Sequence, residues 1–175
     1  MILKLKRTPS IYLVGFMGSG KSTVGRALAD ELGWHFVDLD EEIERRAGAA
    51  ISTIFDQHGE RVFRNLESEA LRQIVRGVQS GRPHVVSLGG GALLSENNFD
   101  LVSNHGITVW LDCPLEMLER RVASAQHRPL ARDPVRFREL FEVRKPGYAR
   151  ADYRIEVDGD DARQVVACIM ALPLF

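Results

Sequence analysis

Residues 15–22 match the phosphate-binding pattern G-x-x-x-x-G-K-[ST] without a mismatch. In this pattern the glycines let backbone N–H groups approach a phosphate chain, the lysine reaches the β- and γ-phosphates, and the final hydroxyl can bind a magnesium ion. Lys21 and Ser22 are those two residues here. A glycine-rich turn that binds nothing would need neither a lysine followed by a serine nor a glycine at both ends. The pattern therefore predicts a site for a nucleoside triphosphate.

Two carboxylates follow the second apolar segment, which we predict to be a strand over residues 34–40. Asp38 and Asp40 are two residues apart, so on a strand both side chains would leave on the same face. One could hold magnesium through water, and the other could meet a hydroxyl group of a phosphate acceptor. Asp40 is also a good N-cap for a helix that begins at Glu41, and the capping and chemical roles are compatible.

Three arginines and a run of three glycines are further candidates. Arg64 lies off the apolar stripe of its predicted helix, Arg128 lies in a polar segment, and Arg144 lies near a helix end. Any single one could be a surface residue, but guanidinium groups suit carboxylates and phosphates, so several that converge would indicate an anionic acceptor. Glycines 89–91 follow an apolar strand and would leave bare backbone donors at the site.

Strands alternate with helices along the chain, which predicts an α/β fold with a parallel sheet and right-handed crossovers. The helix after the phosphate loop would direct the positive end of its dipole at the phosphates. The predicted strands cover residues 11–14, 34–40, 84–88, 107–111 and 153–157. The predicted helices cover residues 22–32, 41–47, 51–57, 60–78, 96–103, 114–125, 135–150 and 162–172.

The bulk properties are those of one globular domain. The 175 residues are 45% hydrophobic and 27% charged, and a net charge of −1 gives no indication of a nucleic-acid or membrane partner. The apolar part of the N-terminus is too short for a signal peptide, and no segment has the length of a transmembrane helix. Cys113 and Cys168 form no ligand or redox pattern, so we expect a cytoplasmic protein with reduced cysteines and no metal cluster.

Taken together, these motifs resemble those of the shikimate kinase family over nearly the whole chain. The family has a phosphate loop of this form, Asp-x-Asp at the exit of the second strand, Gly-Glu-x-x-Phe-Arg, Gly-Gly-Gly, and Arg-Pro-Leu in a lid. Here the last four are residues 38–40, 59–64, 89–91 and 128–130, in the family's order and at similar spacing.

The resemblance implies a P-loop NTPase of the nucleoside-monophosphate-kinase type, with a five-stranded parallel sheet in the order 2-3-1-4-5. One domain would cover residues 1–175, with a mobile lid at about residues 124–133. The implied reaction is transfer of a phosphoryl group from ATP, with Mg²⁺, to the 3-hydroxyl of shikimate in aromatic amino-acid biosynthesis. We expect the protein to act as a monomer.

The family's functional residues map onto matching positions of this sequence. Lys21, Asp40 as the base, and Arg128 as the residue that closes over the transferred group would be catalytic. The residues implied for ATP are Gly18, Ser19, Gly20, Lys21, Ser22, Thr23, Arg120 and Arg128. Those implied for shikimate are Asp40, Arg64, Gly89, Gly90, Gly91 and Arg144, with Arg64 and Arg144 on its carboxylate. Ser22 would bind the metal, and Asp38 would bind the metal's water shell.

Two segments depart from the family pattern. Residues 131–134, between the lid and the next helix, form a short connection. Residues 158–161 are Asp-Gly-Asp-Asp, where relatives often carry a basic residue near the adenine. Arg163 could take the place of that basic residue.

Three alternatives remain beside the shikimate kinase interpretation. A kinase for another small molecule, such as gluconate, would share the loop and lid but lack the acidic, Phe-Arg and triple-glycine motifs. An inactive ATP-binding relative would be expected to have lost at least one of its catalytic residues, whereas Lys21, Asp38, Asp40 and Arg128 are all present. A GTP-driven switch protein would carry a guanine-reading Asn-Lys-x-Asp motif, which this sequence lacks.

Overall fold

Five parallel strands form the sheet in the computed structural model, which describes residues 8–124 and 133–174. The strands are β1 (Ser10–Val14), β2 (His35–Asp38), β3 (His84–Ser87), β4 (Gly106–Asp112) and β5 (Tyr153–Glu156). Their order is β2-β3-β1-β4-β5, which confirms the predicted topology. All five residues of β1 are buried, as expected for a central parallel strand that is covered on both faces.

Seven α-helices connect or flank the strands within the described residues. They are α1 (Lys21–Leu32), α2 (Leu39–Ala47), α3 (Ile51–Ser80), α4 (Glu96–His105), α5 (Leu115–Ala123), α6 (Pro134–Tyr148) and α7 (Ala162–Met170). A short 3₁₀ helix covers Ala92–Leu94. Helix α1 can pack closely on β2 because residue 25 is glycine: a Cβ atom there would lie 2.4 Å from Cε2 of Phe36.

The boundary between β2 and α2 differs from the prediction. The strand ends at Asp38, and the carboxylate of Asp38 accepts hydrogen bonds from the backbone N–H of Asp40 (3.0 Å) and Glu41 (3.3 Å). Asp38 is therefore the N-cap of α2, and the prediction that Asp40 fills this role is wrong. Asp40 lies in the first helical turn, so the two carboxylates do not share one face of a strand.

Helix α3 is broken at Gly59, where φ is 77° and ψ is 174°. This conformation is accessible to glycine and strained for other residues. The break separates residues 51–58 from residues 60–80, close to the division into two helices that the sequence predicts. The rings of Phe55 and Phe63 pack across it with centroids 4.6 Å apart.

The proposed lid falls almost entirely outside the described residues. Of residues 124–133, the structure describes Ser124 and Asp133, and Arg128 is not among them. Asp133 is the N-cap of α6, since its carboxylate accepts a hydrogen bond from Arg136 N–H at 3.1 Å.

None of the helices in residues 8–124 and 133–174 is long and apolar enough to cross a bilayer. Cys113 is buried, Cys168 is exposed, and both are free thiols. Over the same residues, His, Cys, Asp and Glu side chains do not gather in groups of three or more that could hold a metal ion.

Candidate active site

A large cleft of about 1010 Å³ contains most of the residues that the sequence singled out. It lies beyond the carboxyl ends of the strands, where open parallel sheets bind their ligands. The predicted site residues that line it are Gly18, Ser19, Gly20, Lys21, Ser22, Thr23, Asp38, Asp40, Arg64, Gly89, Gly90, Gly91 and Arg144. The sequence motifs are thus brought together in one place, although they are spread over more than half of the chain.

The phosphate loop, residues 15–20, joins β1 to α1. Gly15, Gly18 and Gly20 have φ values of 147°, 84° and 91°, which side-chain-bearing residues rarely adopt. A Cβ atom on Gly15 would also lie 2.8 Å from the carbonyl oxygen of Leu111. Gly20 is the N-cap of α1 and offers no side-chain acceptor, so the first N–H groups of the helix are left for a ligand.

Lys21 curls back over this loop. Its Nζ donates hydrogen bonds to the carbonyl oxygens of Gly15 (2.9 Å) and Phe16 (3.1 Å). The ammonium group is therefore held above the turn that would surround a phosphate group, in the place where its charge would neutralise one.

Ser22 and Asp38 form a pair of oxygen donors beside the loop. Ser22 Oγ donates to Asp38 Oδ2 at 2.5 Å, while Oδ1 of the same carboxylate caps α2. A hydroxyl and a carboxylate are the hard oxygen ligands that Mg²⁺ prefers, so these residues fit a magnesium ion or its water shell.

Phe16 anchors the phosphate loop in the hydrophobic core. Its ring is buried and makes edge-to-face contacts with Phe137 and Phe141 of α6, with centroid distances of 5.0 and 5.4 Å. The guanidinium carbon of Arg144, on the same helix, lies 5.8 Å from the Phe16 ring centroid. The loop and the helix that carries Arg144 are therefore packed together.

Glycines 89–91 form part of the cleft lining, which we call the glycine wall, and three charged side chains lie against them. A methyl group built on each glycine would meet a different one of them. The nearest atoms would be Asp40 Oδ1 at 2.8 Å from Gly89, Arg144 Nη1 at 2.9 Å from Gly90, and Arg64 Nη2 at 2.7 Å from Gly91. The absence of side chains on this segment therefore lets two guanidinium groups and one carboxylate converge on the same backbone.

Glu67 is a buried member of this wall that the sequence prediction missed. Its Oε2 accepts a hydrogen bond from Arg64 Nη1 at 2.9 Å, and Oε1 has no hydrogen-bond partner among the described residues. Burial raises the pKa of Glu67 above its usual range and the charge of Asp40 acts in the same direction, while Arg64 and Arg144 oppose the shift. The available signal was its spacing, because residues three apart on a helix are neighbours.

Tyr148 is a second residue that the sequence did not reveal. It is buried at the end of α6, and its hydroxyl donates to the carbonyl oxygen of Gly90 at 2.5 Å. Desolvation raises the pKa of this phenol, so it remains a donor at neutral pH. One turn earlier on the same helix, Arg144 has a buried Nε without a hydrogen-bond partner in the described part of the chain.

Near the phosphate loop, Arg121 lines the cleft and the predicted Arg120 does not, so the role predicted for Arg120 stays a prediction. Arg120 is exposed, does not line the cleft, and pairs with Asp160 at 3.1 Å. Arg121 lines the cleft and donates to the carbonyl oxygen of Gly18, in the phosphate loop, at 3.1 Å. Of these two consecutive arginines, Arg121 is therefore the one that contacts the phosphate loop.

The acidic segment 158–161 lies beside these arginines. Asp161 is the N-cap of α7 and accepts a hydrogen bond from Arg163 N–H at 2.9 Å. The side chain of Arg163 is exposed and is not part of the cleft lining. Its suggested contact with a base stays a prediction.

Comparison with known proteins gives one consistent result. The family model for shikimate kinase matches residues 17–172. The chain is 44% identical over 158 residues to a shikimate kinase of Persephonella marina, covering 90% of this chain and 94% of the relative. It is 45% identical over 162 residues to a shikimate kinase of Sulfurihydrogenibium sp., covering 92% and 95%.

Solved structures agree with the sequence matches. Shikimate kinase from Acinetobacter baumannii in complex with shikimate superposes with a TM-score of 0.85 at 39% identity, over 93% of this chain and 90% of that one. A gluconokinase from Sinorhizobium meliloti shares the fold, with a TM-score of 0.60, 20% identity, and coverage of 93% of this chain and 90% of that one.

Proposed function

This chain belongs to the shikimate kinase family, and we propose that its cleft holds ATP and Mg²⁺ at the phosphate loop and shikimate at the glycine wall. The activity of this family is the transfer of a phosphoryl group from ATP to the 3-hydroxyl of shikimate, a step of aromatic amino-acid biosynthesis. The observation that carries the proposal for the acceptor is the convergence of Asp40, Arg64 and Arg144 on glycines 89–91, in the same cleft as Lys21.

The residues of the phosphate loop bind and orient the donor. Backbone N–H groups of the loop and of the first turn of α1 hold phosphate oxygens, and Lys21 places its charge beside them. Ser22 and Asp38 would hold a magnesium ion or its water shell, and such an ion would neutralise charge on the phosphates. Phosphoryl transfer depends mainly on positioning and charge neutralisation, so these contacts supply much of the catalysis.

Asp40 positions the acceptor hydroxyl and accepts its proton. Its carboxylate lies in the cleft beside Gly89, and the N-cap of α2 is Asp38 instead. Phosphoryl transfer needs a group that orients the nucleophile, and a carboxylate within hydrogen-bond reach of a hydroxyl serves this purpose.

Arg64 and Arg144 hold the carboxylate of shikimate. Glu67 keeps Arg64 in place by its ion pair, and the glycine backbone leaves room for both guanidinium groups. Guanidinium groups bind planar carboxylates through two parallel hydrogen bonds, which fixes the orientation of the acceptor as well as its charge.

We also propose a domain organisation, a lid and a cellular location for this protein. One domain over residues 1–175 with a lid at 124–133, and closure of Arg128 over the transferred group, rest on the resemblance. Two free cysteines support a location in the cytoplasm, since disulfides persist mainly in oxidising compartments, and we propose that the protein acts there as a monomer.

Arg64 and Arg144 together form what we call the carboxylate clamp, and the variants Arg64→Lys and Arg144→Lys test it. Both changes keep the charge but remove the planar fork, because an ammonium offers only a point charge. We expect each variant to raise the KM for shikimate about tenfold or more, equivalent to about 1.4 kcal/mol, with the KM for ATP little changed. The measurement is a coupled ADP-release assay at varied shikimate and ATP.

The matched control for this test is Arg61→Lys, at an exposed position on α3 that is outside the cleft lining. It should leave both KM values unchanged. An analogue of shikimate without the carboxylate should be a poor substrate of the parent enzyme. Its KM should change little further in Arg64→Lys or Arg144→Lys. A normal KM for shikimate in both variants, or turnover of the analogue equal to that of shikimate, would contradict binding of the carboxylate by Arg64 and Arg144. Phosphorylation of gluconate instead of shikimate would show that the acceptor is a different small molecule.

Tyr148→Phe tests whether the wall must be held in one conformation. The substitution removes the hydroxyl, with its hydrogen bond to the carbonyl oxygen of Gly90 and its contact with Arg144, and leaves the ring packed. Since one such bond contributes about 1 kcal/mol, we expect a rise of about fivefold in the KM for shikimate and a smaller change in kcat. Tyr153→Phe is the control, because that hydroxyl donates to the carbonyl oxygen of Pro173 instead. Equal KM values in parent and Tyr148→Phe would rule out this positioning role.

A further inference from the structure

Asp160 makes a pair of contacts that the reaction does not require. Its two carboxylate oxygens bind two consecutive arginines, with Arg120 Nη2 at 3.1 Å from Oδ2 and Arg121 Nε at 3.0 Å from Oδ1. Asp160 is exposed, and it also lines the cleft in which the nucleotide is proposed to bind. A negative side chain therefore lies at the edge of a site for a polyanion.

Each nitrogen of the Arg121 guanidinium has an acceptor in the protein. Nη1 contacts the carbonyl oxygen of Gly18 (3.1 Å) and Cys113 Sγ (3.6 Å), and Nη2 contacts the carbonyl oxygen of Gly159 (2.8 Å) and Asp160 Oδ1 (2.9 Å). With the hydrogen bond from Nε, all three nitrogens of the guanidinium are engaged by the protein, and Asp160 contacts two of them. A phosphate oxygen that approaches Arg121 therefore competes with these acceptors.

The acceptors of Arg121 differ in how easily they can leave. Gly18 and Gly159 contribute backbone carbonyls, and Cys113 is buried behind the phosphate loop. Asp160 contributes the end of an exposed side chain, with 68% of that side chain accessible to solvent. Rotation of this one side chain would release both arginines without moving the backbone.

Charge repulsion also favours the departure of Asp160 from the arginines when a phosphate group binds. The hydrogen bond from Arg121, followed by the charge of Arg120, holds the pKa of Asp160 below its ordinary value, so this carboxylate is ionised at neutral pH. Like charges in one site repel each other, and a nucleotide phosphate near Arg121 would face this carboxylate if it stayed in place.

We propose that Asp160 is an internal competitor of the nucleotide, whose carboxylate occupies Arg120 and Arg121 in the free enzyme and must leave them when the phosphates bind. This proposal rests on the proposed function only for the statement that a nucleotide binds at the phosphate loop. Asp160 thereby lowers the affinity for the nucleotide without affecting the acceptor, because its ion pairs among the described residues are with Arg120 and Arg121 and not with Arg64 or Arg144.

Asp160→Asn tests this competition. The amide keeps the size of the side chain and removes its charge, and exposed ion pairs contribute little to stability, so the fold should be retained. Titration calorimetry with the non-hydrolysable analogue AMP-PNP and MgCl₂, in the absence of shikimate, should give a Kd about fivefold lower than that of the parent. In the ADP-release assay the KM for ATP should fall similarly, and the KM for shikimate should not change.

Asp158→Asn is the matched control. It removes the same charge two residues away, from an exposed carboxylate that takes part in none of the ion pairs found among the described residues and does not line this cleft. If the effect arises from displacement at the arginines, Asp158→Asn should bind AMP-PNP as the parent does. If net charge alone matters, both variants should gain affinity equally.

Two results would overturn the proposal. One is a Kd for AMP-PNP in Asp160→Asn that equals or exceeds the parental value. Asp160 would then serve only to link α5 to the segment before α7. The other is an equal gain in Asp158→Asn. Neither result depends on the acceptor, whereas absence of shikimate-dependent ADP release by the parent would contradict the proposed function and leave the nucleotide titration valid.

Discussion

Lys21→Ala should reduce phosphoryl transfer to shikimate to near background, by about 10³-fold or more, while the fold is retained. Nζ of Lys21 lies over the loop and donates to the carbonyl oxygens of Gly15 and Phe16, so it is placed to meet the charge that develops on the phosphates. These two hydrogen bonds are made by a half-buried side chain outside the core, and alanine is well tolerated at the start of a helix. Activity is measured by coupled ADP release and the fold by circular dichroism.

Lys145→Ala provides the comparison for this variant, because Lys145 is exposed on α6 and does not line the main cleft. It should retain most of the parental turnover. Substantial turnover by Lys21→Ala, with a normal spectrum, would contradict the assignment of residues 15–22 as the phosphate-binding loop.

Asp40→Asn is expected to lower kcat by about 10²-fold or more and to change the melting temperature little. The amide keeps the shape of the side chain but has no basicity, so it cannot accept the proton of the acceptor hydroxyl. Stability should hardly change because Asp38, not Asp40, caps α2. The charge lost from the first turn of the helix accounts for only about 0.3–1 kcal/mol.

Asp30→Asn is the control for Asp40→Asn, since Asp30 is an exposed carboxylate on α1 outside the cleft lining. Both proteins should melt close to the parent, and only Asp40→Asn should lose turnover. Near-normal kcat in Asp40→Asn would remove the base from the proposed mechanism and leave Asp40 at most a binding residue.

The phosphate loop and the convergence of motifs could be predicted from sequence because each depends on local pattern and order along the chain. The end of β2 could not be predicted, since an aspartate can continue a strand, cap a helix or lie in the first turn of a helix. The sheet settles this point. Strand β2 pairs with β3 only as far as Asp38 and Ser87, and the chain turns into a helix directly afterwards.

The choice between Arg120 and Arg121 depends on helical phase, which the resemblance alone did not supply. Leu118 and Val122 are the buried residues of α5, and a Cβ atom on Gly18 would lie 3.0 Å from Val122 Cγ2 and 3.8 Å from Arg121 Cβ. The helix therefore packs on the phosphate loop through this face. Because consecutive residues are about 100° apart on a helix, Arg120 points elsewhere.

Glu67 and Tyr148 were missed for a different reason. Each reads in sequence as an ordinary member of an amphipathic helix, and its role depends on a partner that the fold supplies. Tyr148 meets Gly90, which is 58 positions away, and Glu67 lies beside the Gly89 backbone. A polar residue that is buried against a distant backbone segment has no local signature.

The position of Phe16 has a consequence for how this enzyme can change over evolutionary time. One aromatic ring belongs both to the phosphate loop and to the core contact with Phe137 and Phe141. Substitutions at those two core positions would alter the loop geometry along with the packing, so selection for thermal tolerance there would also act on catalysis. Adaptation of stability without loss of activity is therefore easier at surface sites remote from α6.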